Sequence, residues 1–300
     1  MLLPVIAGVD GSTESLAAAE WAAHEAVRRN RPLRLVHAWN WHPRRADGDP
    51  ASAAQRHLAE RVLRDAEECI RAATPEVRLT DEQVEGPATA ALLRAADQAE
   101  LLVLGSRGLS GFTGLLVGSV ALGVAAKATR PLVLVRREAD AEAPCLPADD
   151  GNRSARDGDL DVVLGVDLTE TCDEVIEFAF QAAWRRQARL RVVHAWQRPS
   201  AIALGPGDIA LVNEPHRAEE WQQFLSAVLK LWRDKFPETE VVETVVEGKA
   251  STTLVRAASA ASLLVVGRHV SDRPTVPRIG PVTQAAVHHV ACPLAIVPHG

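Results

Sequence analysis

Short apolar runs alternate along the chain with longer segments in which apolar residues recur every three or four positions. In the first half, the short runs predict β-strands at Val5–Val9, Leu33–Trp39, Val77–Val84, Leu101–Gly105 and Leu132–Val135. The longer segments predict helices at Glu14–Arg29, Pro50–Ala73, Ala88–Ala99 and Ser119–Thr129. Strands that alternate with helices indicate a parallel sheet with right-handed crossovers. The pattern therefore predicts a doubly wound α/β fold.

The whole pattern occurs again in the second half of the chain. Leu33–Trp39 returns as Leu190–Trp196, with six of seven residues identical and an offset of 157 positions. Val84–Gly108 likewise matches Val246–Val270 at 13 of 25 positions. A period this long is typical of duplicated domains and not of a solenoid. The sequence therefore predicts two tandem doubly wound domains, each with a five-stranded parallel sheet flanked by helices.

A stretch rich in proline, glycine and charged residues separates the two copies. We interpret it as a linker at 139–159, between a first domain at 1–138 and a second domain at 160–300. The last strands of the two domains, Leu132–Val135 and Leu294–Val297, are expected to pair with each other and form an intrachain pseudo-dimer. Pro298 is expected to end that ladder. Association of two chains into a homodimer stays an open alternative.

Composition narrows the class of protein. The chain has 300 residues, of which 47% are apolar and 24% charged, as in an ordinary globular protein with real cores. The net charge of −6 argues against nucleic-acid binding. The weakly polar run at 115–126 is too short to span a membrane. The first residues lack the basic region of a secretory signal, and the four cysteines have no metal or redox spacing. We therefore expect a cytoplasmic protein with free thiols.

A glycine-rich loop carries the candidate chemistry. Five glycines lie among the fourteen residues from Gly105 to Gly118, between a buried strand and a helix. Backbone N–H groups and a helix N-terminus converge in such a loop and can hold a phosphate. Asp10 ends the first strand at the same edge of the sheet, where a carboxylate can accept hydrogen bonds from ribose hydroxyls. The sequence therefore predicts a nucleotide site, with a simple surface turn as the alternative.

Motifs for catalysis are missing from the sequence. It contains no Walker A motif, dinucleotide fingerprint, nucleophile elbow or metalloprotease motif. Between Gly105 and Lys127 there is no Asp or Glu to hold a metal near a γ-phosphate. His37 and His194 are interpreted as histidines packed at strand ends. We therefore expect binding without catalytic or metal-ligating residues. The alternative is a slow ATPase or nucleotidyl-transfer enzyme on the same fold.

The loop also carries a family resemblance. Gly105-x-x-Gly108, nine residues and then Gly118-Ser119, together with Asp10 and the sequence at 35–38, resembles the ATP-binding pattern of the universal stress proteins. The resemblance extends to both halves and so indicates a tandem member of that family. It implies a stress-response or regulatory module that holds ATP or another adenine nucleotide, with or without Mg²⁺, and hydrolyses it slowly or not at all.

The resemblance also implies which residues meet the nucleotide. Asp10 would hold the ribose, the backbones of Val9 and Ala38 would meet the adenine, and the loop glycines with Ser119 would hold the phosphates. The implied cofactor-binding residues are Gly8, Val9, Asp10, Ala38, Gly105, Ser106, Arg107, Gly108, Gly118, Ser119 and Val120.

The second copy departs from this pattern. Val270 replaces the second glycine of the loop and disfavours positive φ, and Pro281 replaces the serine and removes an N–H group. Arg268 and His269 are candidates to restore part of the positive charge. We therefore expect a weak or vacant second site, formed by Gly165, Asp167, Gly267 and Gly280.

Overall fold

A computed structural model describes residues 2–39, 50–106, 117–137, 160–198, 217–270 and 279–300. The first half contains β1 (Val5–Gly8), α1 (Thr13–Arg28), β2 (Leu33–Trp39), α2 (Pro50–Ala73), β3 (Leu79–Glu85), α3 (Ala88–Ala96), β4 (Leu101–Gly105), α4 (Ser119–Ala125) and β5 (Leu132–Val135). The second half contains β6 (Asp161–Gly165), α5 (Asp173–Arg186), β7 (Leu190–Trp196), α6 (Arg217–Lys235), β8 (Val241–Glu247), α7 (Ala250–Ala257), a 3₁₀ turn (Ala258–Ala260), β9 (Ala261–His269), α8 (Pro281–His289) and β10 (Leu294–His299). The predicted linker at 139–159 lies outside the described residues.

The described strands form one sheet in the order β3-β2-β1-β4-β5-β10-β9-β6-β7-β8. Each half supplies five parallel strands, so the predicted doubly wound fold is confirmed for both copies. The halves join where β5 and β10 pair antiparallel, with Val133 opposite Ala295. The predicted pairing of the last strands is therefore confirmed, and it merges two sheets into one.

β2, β4, β5 and α2 have their predicted bounds, and β1 and α1 differ by one residue at one or both ends. The predictions for α3 and α4 were too long by three and four residues, because the chain leaves each helix in a turn. In these turns the Ala99 N–H donates to the Ala96 carbonyl at 2.9 Å, and the Lys127 N–H donates to the Val124 carbonyl at 3.0 Å.

β3 begins two residues later than predicted because the Val77 N–H donates to the Thr74 carbonyl, 3.2 Å away, in a turn. β10 continues past Pro298 to His299, which the sequence did not predict. Pro298 lies beyond the last β5 pairing, at Ile296, so its missing N–H costs no hydrogen bond to β5.

One cysteine also differs from expectation. Cys69 is disulfide-bonded, which makes the prediction of free thiols wrong at that position. Cys172 and Cys292 are free. Widely separated cysteines show no pairing in a sequence, because the contact depends on the tertiary fold.

Helix α1 of the first half and helix α5 of the second half contact each other through their side chains. Arg29 lies over the ring of Phe178 at 5.2 Å, and Arg186 lies over the ring of Trp21 at 5.6 Å. Arg29 and Arg186 are 157 positions apart, as are Trp21 and Phe178, so the two contacts are related by the repeat. An exchange of this kind is the signature of a two-fold interface.

A buried carboxylate lies within this interface. Glu25 is fully buried, and its oxygens accept hydrogen bonds from Arg29 at 2.6 Å and Arg186 at 2.7 Å. Burial alone would raise the pKa of Glu25, but the positive charges of Arg186 and Arg29 lower it to about 2. The aligned residue of the second half is Ala182, so only one of the two helices contributes an acid at this position.

Candidate functional site

The turn after β1 positions Asp10. Its carboxylate accepts hydrogen bonds from the Ser12 N–H at 3.0 Å and the Ser12 hydroxyl at 2.5 Å. Ser12 caps α1, because its hydroxyl oxygen accepts from the Ser15 N–H at 3.1 Å. Gly11 has φ of +85°, a conformation that favours glycine. The local sequence therefore fixes the Asp10 carboxylate beside the start of α1.

The end of β1 contributes backbone and a glycine with a packing role. A Cβ at Gly8 would lie 2.5 Å from Leu104 and 2.9 Å from Leu92. A larger residue would displace these two leucine side chains, so leucine packing favours glycine here irrespective of a ligand. The Val9 N–H donates to the Val36 carbonyl at 2.9 Å, and the Val9 carbonyl lies 2.8 Å from Nδ1 of His37. The sheet and His37 thus already use the Val9 backbone that was expected to meet adenine.

Backbone hydrogen bonds join the residue before α4 to the end of β4 and the end of β4 to β5. The Ser106 N–H donates to the Val135 carbonyl at 2.8 Å, and the Gly118 N–H donates to the Ser106 carbonyl at 2.7 Å. The Gly118 amide is therefore occupied within the fold. The first turn of α4, from Ser119 onwards, has no side-chain cap among the described residues. Its N–H groups are the ones that this loop leaves for an anion.

One further polar atom lies in this segment. The Ser106 side chain is buried, and its hydroxyl has no hydrogen-bond partner in the part of the chain that the structure describes. A buried unsatisfied hydroxyl often marks a place where an unseen partner binds. The sequence did not predict that this hydroxyl would be unpartnered.

These elements surround a cavity of about 110 Å³ at the carboxyl edge of the sheet, where β1 and β4 lie side by side. In a doubly wound sheet this switch point is the usual place for a ligand. The predicted residues that line it are Gly8, Val9, Asp10, Ala38, Gly105, Gly118, Ser119 and Val120. Ser106 lies beside the cavity without lining it, and Arg107 and Gly108 lie outside the described residues.

Sequence reasoning missed the remaining lining residues, which are Ser15, Val36, Ala88, Leu92, Leu104 and Ala121. Most of them belong to helices or strands whose pattern indicates only core packing. Ser15 had a usable signal, because it follows the capping Ser12 by three residues in the turn that carries Asp10.

The second half has a corresponding cavity of about 400 Å³. The predicted residues that line it are Gly165, Asp167, Gly267 and Gly280. The Asp167 carboxylate accepts from the Thr169 N–H at 2.9 Å and its hydroxyl at 2.6 Å, much as Asp10 accepts from Ser12. The duplicated turn therefore places a carboxylate at both switch points.

Arg268 does not supply to the second cavity the positive charge that the sequence suggested. Arg268 is buried and donates to the carbonyls of Ala126 and Ala128 in the first half. His269 lines the cavity, with its Nε2 3.5 Å from Glu170 and its ring 5.7 Å from that of His299. Burial and the nearby His269 lower the pKa of His299, which disfavours a positive charge there. The expectation that Arg268 restores charge to this site is wrong.

No described helix is both long and apolar enough for a membrane span. Within the same residues, no group of three or more His, Cys, Asp or Glu side chains is arranged to hold a metal ion.

A duplicated doubly wound chain with a cavity at each switch point belongs to the α/β class of proteins with open, mostly parallel sheets. The sequence model of the Universal stress protein family matches residues 1–136 and 161–298. The chain therefore belongs to the universal stress protein family and carries two copies of its domain in tandem.

Individual proteins and solved structures are similar to this chain. Universal stress protein Rv2005c of Mycobacterium tuberculosis is 28% identical over 300 residues, covering 97% of this chain and 96% of that protein. A crystal structure of a universal stress protein from Archaeoglobus fulgidus shares the fold with a TM-score of 0.71 at 15% identity, covering 99% of this chain and 98% of that one. A universal stress protein solved in complex with cAMP matches 44% of this chain and 96% of its own, with 29% identity and a TM-score of 0.38.

Proposed function

We propose that the first-half cavity binds ATP or another adenine nucleotide, and that the chain acts as a nucleotide-binding stress-response or regulatory module. The observation that carries this proposal is the convergence of Asp10, the end of β4 and the first turn of α4 on one cavity at the switch point. A carboxylate, an aliphatic wall and uncapped N–H groups are what a ribose, a base and a phosphate respectively require.

The residues present fit such a ligand. Val36, Ala38 and Leu92 supply apolar surface for the base, and Asp10 supplies an acceptor for ribose hydroxyls. The Ser119 hydroxyl and the N–H groups of the first turn of α4 would face the phosphates, which would carry any Mg²⁺ themselves. The cavity of about 110 Å³ is smaller than usual ligand pockets of roughly 300–1,000 Å³. It would therefore enclose only part of the nucleotide.

We propose that the second half, at 160–300, binds nucleotide weakly or not at all, although its cavity is larger. Pro281 has no N–H group at the first position of α8. The Arg268 side chain does not line the second cavity and instead donates a hydrogen bond to the Ala126 carbonyl in the first half. Glu170 adds to the lining a second carboxylate beside Asp167, whereas Asp10 is the one carboxylate among the described lining residues of the first cavity. Repulsion from these carboxylates opposes a polyphosphate.

We propose binding without rapid turnover as the activity of the first site, at 1–138. Hydrolysis needs a placed base and a metal-binding carboxylate near the γ-phosphate. The described residues that line the first cavity include a single carboxylate, Asp10, and two hydrogen bonds from Ser12 already engage it. A slow ATPase or nucleotidyl-transfer enzyme remains the second candidate, because a slow reaction needs less organisation.

The test is calorimetric titration of nucleotide-stripped protein with ATP and Mg²⁺, followed by single-turnover hydrolysis. We expect about one ATP per chain and turnover far below 1 s⁻¹, the lower end for ordinary phosphoryl-transfer enzymes. Two sites of similar affinity would contradict the assignment to one half. Absence of binding by any adenine compound would overturn the proposed function, and turnover near 1 s⁻¹ would favour the enzyme.

A further inference from the structure

Arg268 anchors the far end of α4, the helix whose first turn lines the first cavity. Its Nη1 donates to the Ala126 carbonyl at 3.3 Å, and its Nη2 donates to the Ala128 carbonyl. The side chain crosses from β9 in the second half and is only 7% exposed. Carbonyls at the end of a helix lack partners within the helix, and a cation there also offsets the helix dipole. Ala126 is the C-cap residue of α4 and Ala128 lies in the turn that follows, so the guanidinium holds the C-terminal end of the helix and the start of its exit turn.

A second arginine makes the reverse connection. Arg136 follows β5 in the first half, and its Nη2 donates to the carbonyls of Val287 at 3.0 Å and His288 at 3.2 Å. Both carbonyls belong to the last turn of α8, the helix whose first turn lines the second cavity. Each cavity helix is thus held at its C-terminal end by an arginine of the other half.

The two anchors occupy positions that the repeat does not relate. Arg268 aligns with Ser106 of the first half, and Arg136 aligns with Pro298 of the second. The loop position that is a serine beside the first cavity is therefore an arginine in the second half. Its side chain leaves its own cavity and reaches the helix of the other one.

α4 is short enough to depend on such anchors. It has seven residues, and helices of that length are not stable by themselves. Its start is tied to β4 by the hydrogen bond from Gly118 to Ser106, and its buried face packs through Ala121, Val124 and Ala125. Arg268 supplies the tie at its end. A small shift of α4 would move Ser119 and the N–H groups of its first turn relative to Asp10.

We propose that Arg268 is a positioning residue for the first-half nucleotide site, acting through α4 without contact with the ligand. This inference rests on the proposed function, because it concerns the affinity of that site. It means that the altered loop of the second copy supports the site of the first. The Arg268 side chain lines neither cavity as the described residues define them, so its effect has to pass through the helix.

The experiment compares Arg268→Gln with Arg268→Lys and with Arg136→Gln in the full chain. Amide hydrogen exchange of α4 is measured without nucleotide, and ATP affinity is measured by calorimetry. We expect Arg268→Gln to speed exchange in α4 selectively and to weaken ATP binding about tenfold. Arg268→Lys keeps the charge and should restore part of both effects. Arg136→Gln should speed exchange in α8 and leave ATP affinity unchanged.

The outcomes separate this inference from the proposed function. Unchanged α4 exchange in Arg268→Gln overturns the anchoring role, whether or not the protein binds nucleotide. Faster α4 exchange with unchanged ATP affinity overturns the positioning role. Equal losses of affinity in Arg268→Gln and Arg136→Gln, or faster exchange throughout the chain, would indicate general destabilisation and overturn it too. If the wild-type protein binds no adenine nucleotide, the proposed function and the positioning role of Arg268 both fail. The hydrogen-exchange rate of α4 in Arg268→Gln still shows whether Arg268 anchors that helix.

Discussion

The two halves have the same scaffold and differ in the polar groups around the cavity at the switch point. Ser15 of the first half corresponds to Cys172 of the second, and Ser119 corresponds to Pro281. The first half, to which we assign the nucleotide, has the smaller cavity, about 110 Å³ against about 400 Å³. The scaffold therefore keeps a cavity in both copies, and the described polar groups that line the two cavities differ. Cavity size alone would favour the second half, so the proposed assignment depends on those polar groups.

The helices that join the halves show a similar contrast. The contacts of Arg29 with Phe178 and of Arg186 with Trp21 follow the repeat symmetry. Glu25 breaks that symmetry, because it binds arginines from both halves and its aligned residue in the second half is Ala182. If two copies of the second half paired in the same way, two Arg186 side chains would meet at the interface without a glutamate at the position of Glu25. The interface is therefore built for one copy of each half.

Removal of the shared acid should have the largest effect. Glu25→Gln removes the carboxylate that Arg186 and Arg29 share, leaves Arg29 with Glu100 at 3.1 Å, and should lower the free energy of unfolding by about 3–5 kcal/mol. Urea unfolding at pH 7 measures the change. The matched control is Glu177→Gln in α5, whose ion pair with Lys235 is exposed and contributes less than about 1 kcal/mol. Equal effects of the two substitutions would show that Glu25 does not hold the halves together.

The same acid predicts a pH dependence of slightly smaller size. The pKa of Glu25 is lowered from 4.5 to about 2 in the folded protein. The Glu25 carboxylate therefore binds a proton more tightly in the unfolded protein than in the folded protein. Its contribution of about 3 kcal/mol should be complete above about pH 4.5 and be lost as the pH falls towards 2. Unfolding of wild type and Glu25→Gln at pH 6, 4 and 3 should show the difference in stability shrinking. A constant difference across that range would contradict the lowered pKa.

A substitution in the loops tests the difference between the cavities directly. Gly118→Val adds a branched side chain where the loop meets the first turn of α4 and should weaken ATP binding more than about 100-fold. Its counterpart Gly280→Val is a matched control, because a Cβ there has open space within 4 Å. Calorimetry should find ATP binding unchanged in the control. Loss of binding in Gly280→Val alone would place the nucleotide in the second half.

The sequence predicted much of the fold and less of the site, for physical reasons. Strands such as Leu101–Gly105 and helices such as Pro50–Ala73 have strong periodicity, so their bounds agree with prediction. The turn at Asp10 was also readable, because its contacts are local. The path of Arg268 was not, because it reaches carbonyls about 140 positions away and no local pattern records such a contact. The unpartnered hydroxyl of Ser106 depends on packing in the same way.

The smallest expected effect comes from restoring the loop of the second half. Val270→Gly with Pro281→Ser returns backbone freedom, an N–H group and a hydroxyl to the second cavity. In a Gly118→Val background, where the first site is inactive, we expect ATP binding at the second site to strengthen by about tenfold. The gain is limited because the Arg268 side chain still contacts the first half, and Glu170 still repels phosphates. Calorimetry of the triple variant against Gly118→Val alone measures it, and adenosine serves as the uncharged control. If the affinity for adenosine rises as much as the affinity for ATP, the substitutions change the shape of the cavity and not its interaction with phosphates. The proposed difference between the two loops would then have no electrostatic basis.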